Sequence, residues 1–157
     1  MRGPSRGWIL PACVTLLLLS GHGAAAQTTD RGAADPPGVA GITLGDSAPA
    51  VLRALGVPEH RQESLGFRFW DYRRRGLSVT WDKTDERVHV IVVTASRAGA
   101  VAGVHVGDLV AAVRAQWGSA ARVRDHGRFL DFIRHGWTCT ADVRNGRVAE
   151  ITMTLVE

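Results

Sequence analysis

The sequence predicts an α+β fold of two tandem repeats, each a short helix followed by a three-stranded antiparallel meander. Repeat 1 is placed at residues 41–95 and repeat 2 at residues 103–157. Three observations support this prediction: the segment Gly41–Gly56 recurs as Gly103–Gly118, each copy has helical apolar periodicity, and alternating apolar and polar residues follow each copy.

Each predicted helix begins after a Gly-Asp pair and ends at a glycine. Asp46 and Asp108 are the predicted N-caps, because an aspartate oxygen can accept a hydrogen bond from an unpaired amide of the first turn. Ser47 is an alternative cap in the first copy. Gly56 and Gly118 are the predicted helix stops, since glycine adopts the left-handed conformation that commonly ends a helix.

Strand patterns fill the rest of each copy. The predicted strands are Phe67–Arg73, Leu77–Asp82 and Val88–Thr94 in the first copy, and Phe129–Ile133, Trp137–Ala141 and Val148–Val156 in the second. Asn145-Gly146 favours a type I′ hairpin turn, because both residues tolerate positive φ. Short turns between the strands predict antiparallel pairing in each copy.

The N-terminus has the features of an export signal. Arg2 and Arg6 precede the apolar run Trp8–Leu19, and three alanines ending at Ala26 provide a small-residue cleavage site. We therefore expect a signal peptide at residues 1–26, a flexible tail at residues 27–40, and a mature protein that is periplasmic or secreted. A second long apolar run is absent from the sequence, so no transmembrane span is expected in the mature chain.

Charge and cysteine content narrow the function classes. Two of the 19 basic residues lie in the predicted leader, so the mature chain has 17 basic and 15 acidic residues and a net charge of +2. Such a small charge gives no strong nucleic-acid signal. Cys13 precedes most of the apolar run, which disfavours a lipoprotein. Cys139 is then alone, and its alternating strand pattern favours a small buried hydrophobe over a reactive thiol.

The repeated segment also resembles a known family. Its pattern is G-I-x-L-G-D-S-x-x-x-V-x-x-x-L-G-x-P, followed by a hairpin and a closing strand. This is similar to the repeat of β-lactamase inhibitory protein and to the small lipoprotein of the outer-membrane β-barrel assembly machinery. The resemblance covers residues 41–94 and 103–154. The matching residues are structural, so the resemblance implies a fold and no activity.

One segment concentrates arginines and aromatic rings. The candidate binding residues are Arg68, Trp70, Tyr72, Arg73, Arg74 and Arg75. Guanidinium groups and aromatic faces together can bind an anionic or protein partner. The alternative is a solvated hairpin tip at the arginine triplet, where exposed charge is ordinary.

Catalytic patterns are weak. Gly45-Asp46-Ser47 resembles a serine-hydrolase block, but no Asp-x-x-His follows it, and the histidines lack metal-ligand spacing. We therefore expect no catalytic residue, metal or cofactor. The leading hypothesis is a non-catalytic module that binds a protein or envelope component through its sheet face and hairpin. The alternative is a small exported hydrolase or thiol enzyme that uses Ser47 or Cys139.

Overall fold

The computed structural model describes residues 35–156. The predicted signal peptide at residues 1–26 and most of the predicted tail lie outside the described residues. Val39, at the end of that tail, is buried and exchanges two backbone hydrogen bonds with Ile42. The packed structure thus already includes Val39.

Two eight-residue α-helices and eight strands are the main elements of the described chain, which also has three short 3-10 turns. The helices are α1 (Ala48–Leu55) and α2 (Val110–Trp117). The strands after α1 are β1 (His60–Ser64), β2 (Phe67–Tyr72), β3 (Leu77–Asp82) and β4 (Val88–Val93). Those after α2 are β5 (Ala121–Arg124), β6 (Phe129–Arg134), β7 (Trp137–Arg144) and β8 (Arg147–Leu155). Neither helix is long and apolar enough to cross a membrane.

All eight strands form one antiparallel sheet in the order β1-β2-β3-β4-β8-β7-β6-β5. The predicted fold class, two repeats that each pair a helix with a three-stranded meander, is therefore wrong. The strands of both halves pair with each other at the centre, where Val90 lies opposite Thr154 and Val93 opposite Ile151. The result is a mostly β structure with two short helices.

Two physical reasons explain this error. The edge strands β1 and β5 have the sequences HRQES and ARVR, whose mostly exposed residues lack the apolar alternation that reveals a strand. The central β4–β8 pair joins segments about 60 residues apart in the chain, and local periodicity carries no information about such a pairing.

One face of the sheet carries the core. Alternate residues of the strands point to opposite faces, and Trp70, Val79, Ile91, Met153 and Cys139 lie side by side in one cross-strand row. The helices pack on the same face through the buried residues Val51, Leu55, Val113 and Trp117. Both helices thus cover one face, and the described part of the chain places no helix on the other.

Candidate functional site

The uncovered face of the sheet is lined at its centre by small uncharged side chains. We call it the threonine–valine face; its residues are Ser78, Thr80, Val90, Val92, Thr138, Thr140, Thr152 and Thr154. All are half-buried, as expected for side chains that contact neighbours within the sheet and have solvent above them. The strand register therefore builds a continuous surface from segments of both halves.

Exposed hydrophobic side chains flank this surface. Phe67 and Phe69 of β2 are 38% and 36% exposed, and their ring centroids lie 6.4 Å apart. Phe69 lies directly opposite Thr80 in the register. On the other side, Ile133 of β6 is 42% exposed and lies opposite Thr138. Exposed apolar groups thus occur on both sides of the threonine–valine face.

A buried carboxylate lies on the β6 side of the same face. Asp131 is 4% exposed and accepts hydrogen bonds from the guanidinium of Arg124 and, over 2.7 Å, from the Thr140 hydroxyl. The hydrogen bond from Arg124 is the main cause that lowers the pKa of Asp131, and burial opposes it. Asp131 is thus an ionised group with its charge satisfied by a neighbour.

Next to it, an aromatic ring is held between two arginines. The guanidinium carbons of Arg124 and Arg128 lie 5.1 and 5.0 Å from the centroid of the Phe129 ring. Such distances permit cation–π attraction. Asp142 is also buried here and receives a hydrogen bond of 3.0 Å from Arg144 Nη2. We call Arg124, Arg128, Phe129, Asp131, Asp142 and Arg144 the arginine corner. Its exposed guanidinium groups lie above the two buried carboxylates.

Two of the candidate binding residues from the sequence lie inside the core. Trp70 packs on Trp81 with ring centroids 4.4 Å apart, and Arg61 lies 4.7 Å above the Trp70 ring. Tyr72 is 2% exposed and its hydroxyl donates to the carbonyl of Gly56 over 3.1 Å. Burial raises the Tyr72 pKa. Neither residue offers an exposed ring to a partner.

The candidate arginines are divided between the two ends of β2. Arg68 forms ion pairs with Glu63 at 3.2 Å and with Glu86 at 3.3 Å. The triplet Arg73–Arg75 lies in the turn at the other end of β2 and is exposed, with the Arg74 side chain 90% exposed. The structure therefore keeps Arg73, Arg74 and Arg75 together in the turn, places Arg68 toward the far end of β2, and buries the rings of Trp70 and Tyr72.

The predicted caps have a different geometry from the one expected. Asp46 Oδ2 accepts a hydrogen bond of 2.8 Å from the Thr43 amide, and Asp108 Oδ2 accepts one of 2.8 Å from the His105 amide. These contacts close the turn before each helix instead of capping its first turn. The residues at the helix starts are Ser47 and Leu109, and neither makes a side-chain cap bond.

At the other end of the helices, Gly56 and Gly118 occupy the C-cap positions. Their φ angles are 81° and 60°, in the left-handed region that glycine adopts without steric strain. The Gly56 amide donates to the carbonyl of Leu52 and the Gly118 amide to that of Arg114. These residues serve the backbone and contribute no side chain to a site.

The two candidate nucleophiles, Cys139 and Ser47, differ in burial. Cys139 is fully buried, and desolvation raises the pKa of its thiol to about 12, so the thiolate fraction at neutral pH is negligible. Ser47 is exposed and forms an isolated β-bridge with Arg87. Burial argues against Cys139 as a nucleophile, and the hydrolase alternative through Ser47 stays a prediction. Across residues 35–156, no group of three His, Cys, Asp or Glu side chains could hold a metal ion.

Sequence reasoning missed the threonine–valine face and the arginine corner. The alternation of Ser78 and Thr80 with buried neighbours was visible in the sequence, but alternation alone does not show which face helices cover. Asp131 and Arg124 are seven residues apart, and only the β5–β6 pairing brings them together. A search for charged residues in strand patterns would have singled out Asp131.

The comparisons with known proteins show a similar fold but assign the chain to no family. No family model and no curated protein matches the chain. It is similar to an extracellular protein containing an SCP domain from Bacillus anthracis str. Ames, with a TM-score of 0.58 and 11% identity over 71% of this chain. The chain spans 43% of that protein's length, so the likeness shows only a shared fold with part of it.

A second solved structure is more distant. A DUF4309 family protein (YjgB) from Bacillus subtilis subsp. subtilis str. 168 is similar with a TM-score of 0.44 and 12% identity, over 71% of this chain and 79% of that one. Neither structure is described as a β-lactamase inhibitor or an assembly lipoprotein. The resemblance to those families therefore stays a prediction.

Proposed function

We propose that this protein is an exported, non-catalytic binding module that recognises another protein through its threonine–valine face. The main support is the uncharged centre of that face together with the exposed rings of Phe67 and Phe69 on one side and Ile133 on the other. The leader with Arg2, Arg6 and an apolar run supports export.

The composition of this surface suits a protein interface. The centres of protein interfaces are depleted of charged groups and enriched in aromatic rings, while charge is found at the rim. Threonine contributes a methyl group for packing and a hydroxyl group for hydrogen bonds to the partner. Eight strands at a spacing of about 4.8 Å give a sheet roughly 34 Å wide, enough for an interface of ordinary size.

The arginine corner supplies the charged rim on one side. Arg124 and Arg128 are more than half exposed, whereas the carboxylates below them are nearly covered. A partner with acidic groups opposite this corner would associate faster at low salt, because rim charges act mainly on the association rate. The partner is therefore expected to combine an apolar centre with an acidic border.

Site-specific cross-linking tests this proposal. A photoreactive residue at Thr154, in the middle of the face, should give a discrete protein adduct in the exported fraction of the source cells. The matched control is the same residue at Ala111, which is exposed on α2. Equal adducts at both positions, or none at Thr154, would contradict the proposal.

A charge-insertion variant then measures the contact. Thr154→Lys places a charge in the uncharged centre and should weaken binding of the identified partner at least about tenfold, since a desolvated unpaired charge is costly. Ala111→Lys changes the net charge equally and should leave affinity unchanged. Isothermal calorimetry provides the affinities, and a thermal melt of each variant shows that the fold is intact.

A further inference from the structure

The strand register brings arginines from distant segments to one end of the sheet. Tyr72 pairs with Leu77, and the same row continues through Val93 and Ile151. The turn that contains Arg73–Arg75 therefore lies at the same end as the β7–β8 hairpin. The chain segment that leaves β4 lies there too, because the Thr94 amide donates to the Gly76 carbonyl over 2.8 Å.

We call the exposed arginines at this end the arginine ridge. They are Arg73, Arg74, Arg75, Arg97, Arg144 and Arg147. Three strand spacings of about 4.8 Å separate the β2–β3 turn from the β7–β8 hairpin, so the ridge extends over roughly 14 Å. It is thus a line of positive charge rather than a single point.

Two of these arginines donate hydrogen bonds to backbone carbonyls. Arg97 donates to the backbone carbonyls of Arg73 and Arg74, the former over 3.1 Å, and Arg147 donates to the Gly107 carbonyl over 2.9 Å. Within residues 35–156, no carboxylate lies within ion-pair distance of Arg73, Arg75, Arg97 or Arg147. Arg97 in addition holds the backbone of the turn that carries Arg73 and Arg74.

Acidic groups at this end compensate only part of the charge. Arg74 lies 3.9 Å from Glu59, and Arg144 lies 3.0 Å from the nearly covered Asp142. Asp71, Asp108, Asp125 and Glu150 also lie toward this end, and Arg128 adds a further positive charge.

The opposite end of the sheet is different. There Lys83 lies 2.9 Å from Glu63, and Arg68 lies 3.2 Å from Glu63 and 3.3 Å from Glu86. Asp82 and Asp85 are close by in the same turn. Lys83 and Arg68 are thus ion-paired at this end, whereas four of the ridge arginines have no ion pair among the described residues.

The described chain begins at this same end. Val39 is packed close to Gly99, since a Cβ at Gly99 would lie 3.8 Å from Val39 Cγ2. Gly99 directly follows the short 3-10 turn that carries Arg97. Val39, near the start of the described residues, therefore lies beside the ridge.

We propose that the arginine ridge binds the surface of an anionic lipid bilayer. Arginine is suited to lipid phosphates because its planar guanidinium can donate two parallel hydrogen bonds. The described residues contain no pocket, so a flat array of phosphates fits better than one enclosed anion. Trp70 and Tyr72, the rings nearest to the triplet, are buried and cannot stack on nucleobases.

Vesicle co-sedimentation tests this inference on the chain from Gln27. All strands and all described core residues lie between Val39 and Leu155, so this chain keeps the whole sheet. It should bind vesicles of 70% phosphatidylcholine and 30% phosphatidylglycerol, and it should not bind pure phosphatidylcholine. Binding should fall steeply with added NaCl, since salt screens exposed charges.

Two matched triple variants separate the ridge from net charge. Arg73→Gln, Arg74→Gln and Arg75→Gln together should weaken binding to the anionic vesicles roughly 100-fold. The control combines Arg87→Gln, Arg114→Gln and Arg134→Gln, three exposed positions outside the ridge, and should change binding less than about threefold. Circular dichroism melts check that both variants fold.

Three outcomes would overturn the inference. They are equal loss of binding in the two triple variants, no preference for anionic over zwitterionic vesicles, and binding to soluble polyglutamate without binding to vesicles. The last result would indicate an acidic protein partner instead. The ridge variant leaves Thr154 unchanged, so loss of vesicle binding and loss of the proposed protein partner can be distinguished.

Discussion

Thr140 Oγ1 donates a hydrogen bond of 2.7 Å to Asp131 Oδ1 across the β6–β7 strand pair. The same carboxylate accepts from the guanidinium of Arg124 on the edge strand β5. A single buried carboxylate thus connects three neighbouring strands. Because these hydrogen bonds are made to a nearly covered carboxylate, their contribution to the stability of the fold depends on the ionisation state of Asp131.

This network predicts a pH dependence of stability. The pKa of Asp131 is lower in the folded than in the unfolded protein, so the ionised group stabilises the fold above the unfolded-state pKa. That contribution is lost as the pH falls through the folded-state pKa. Asp131→Asn should lower the free energy of unfolding by about 2 kcal/mol at pH 7 and flatten the stability profile below about pH 4.

Urea unfolding at a series of pH values measures this effect. Asp125→Asn is the control, since Asp125 is exposed in the same region and should change stability by less than about 0.5 kcal/mol. If the free energy of unfolding fell in the same way with decreasing pH in the wild type and in Asp131→Asn, the stabilising role of ionised Asp131 would be contradicted.

The two faces of β8 provide a second prediction. Met153 is fully buried in the core, and its neighbour Thr152 lies on the threonine–valine face. Met153→Ala should reduce the free energy of unfolding by about 2–5 kcal/mol through lost burial and a cavity. Thr152→Ala should cost less than about 0.5 kcal/mol. Similar losses for both substitutions, measured by chemical denaturation, would show that the face assignment is wrong.

A third prediction concerns two hairpin glycines with positive φ. At Gly76 (φ 69°) an added Cβ would lie 2.3 Å from the Ala95 Cβ, whereas at Gly136 (φ 84°) it would meet no atom within 4 Å. Gly136→Ala should cost about 1 kcal/mol from backbone strain alone. Gly76→Ala should cost at least about 2 kcal/mol more, because steric overlap is added to the strain. Thermal unfolding of the two variants gives the comparison.

The buried thiol gives a fourth prediction. In the native chain from Gln27, Cys139 should react with a thiol reagent only as fast as the protein opens, because the thiol is covered and its pKa is raised to about 12. Labelling should be complete within the mixing time in strong denaturant. Fast native labelling at neutral pH would revive the thiol-enzyme alternative for this protein.

Much of the local structure could be predicted from periodicity. The helices at Ala48–Leu55 and Val110–Trp117 and six of the eight strands lie where apolar spacing places them. The edge strands His60–Ser64 and Ala121–Arg124 carry no such spacing, because each has one neighbour and little to bury. The single sheet could not be predicted, since it depends on a β4–β8 pairing that local patterns do not encode.

The candidate site shows the same limit. The exposed turn Arg73–Arg75 was evident from the sequence as a charged segment, but its link to Arg147 depends on the register of the complete sheet. Trp70 and Tyr72 had apolar character on a strand with two partly apolar faces. Only the packing of α1 and the Tyr72–Gly56 hydrogen bond determine that these two rings point inward.

The position of β4 at the centre of the sheet has a consequence for incomplete chains. Val88–Val93 has the sequence VHVIVV, and in the whole protein both of its edges are paired. A fragment that ends before β8 would leave one edge of this valine-rich strand without hydrogen-bond partners, and such edges nucleate aggregation. Export in an unfolded state, or proteolysis near residue 100, would therefore create a demand for chaperone protection until β8 is in place.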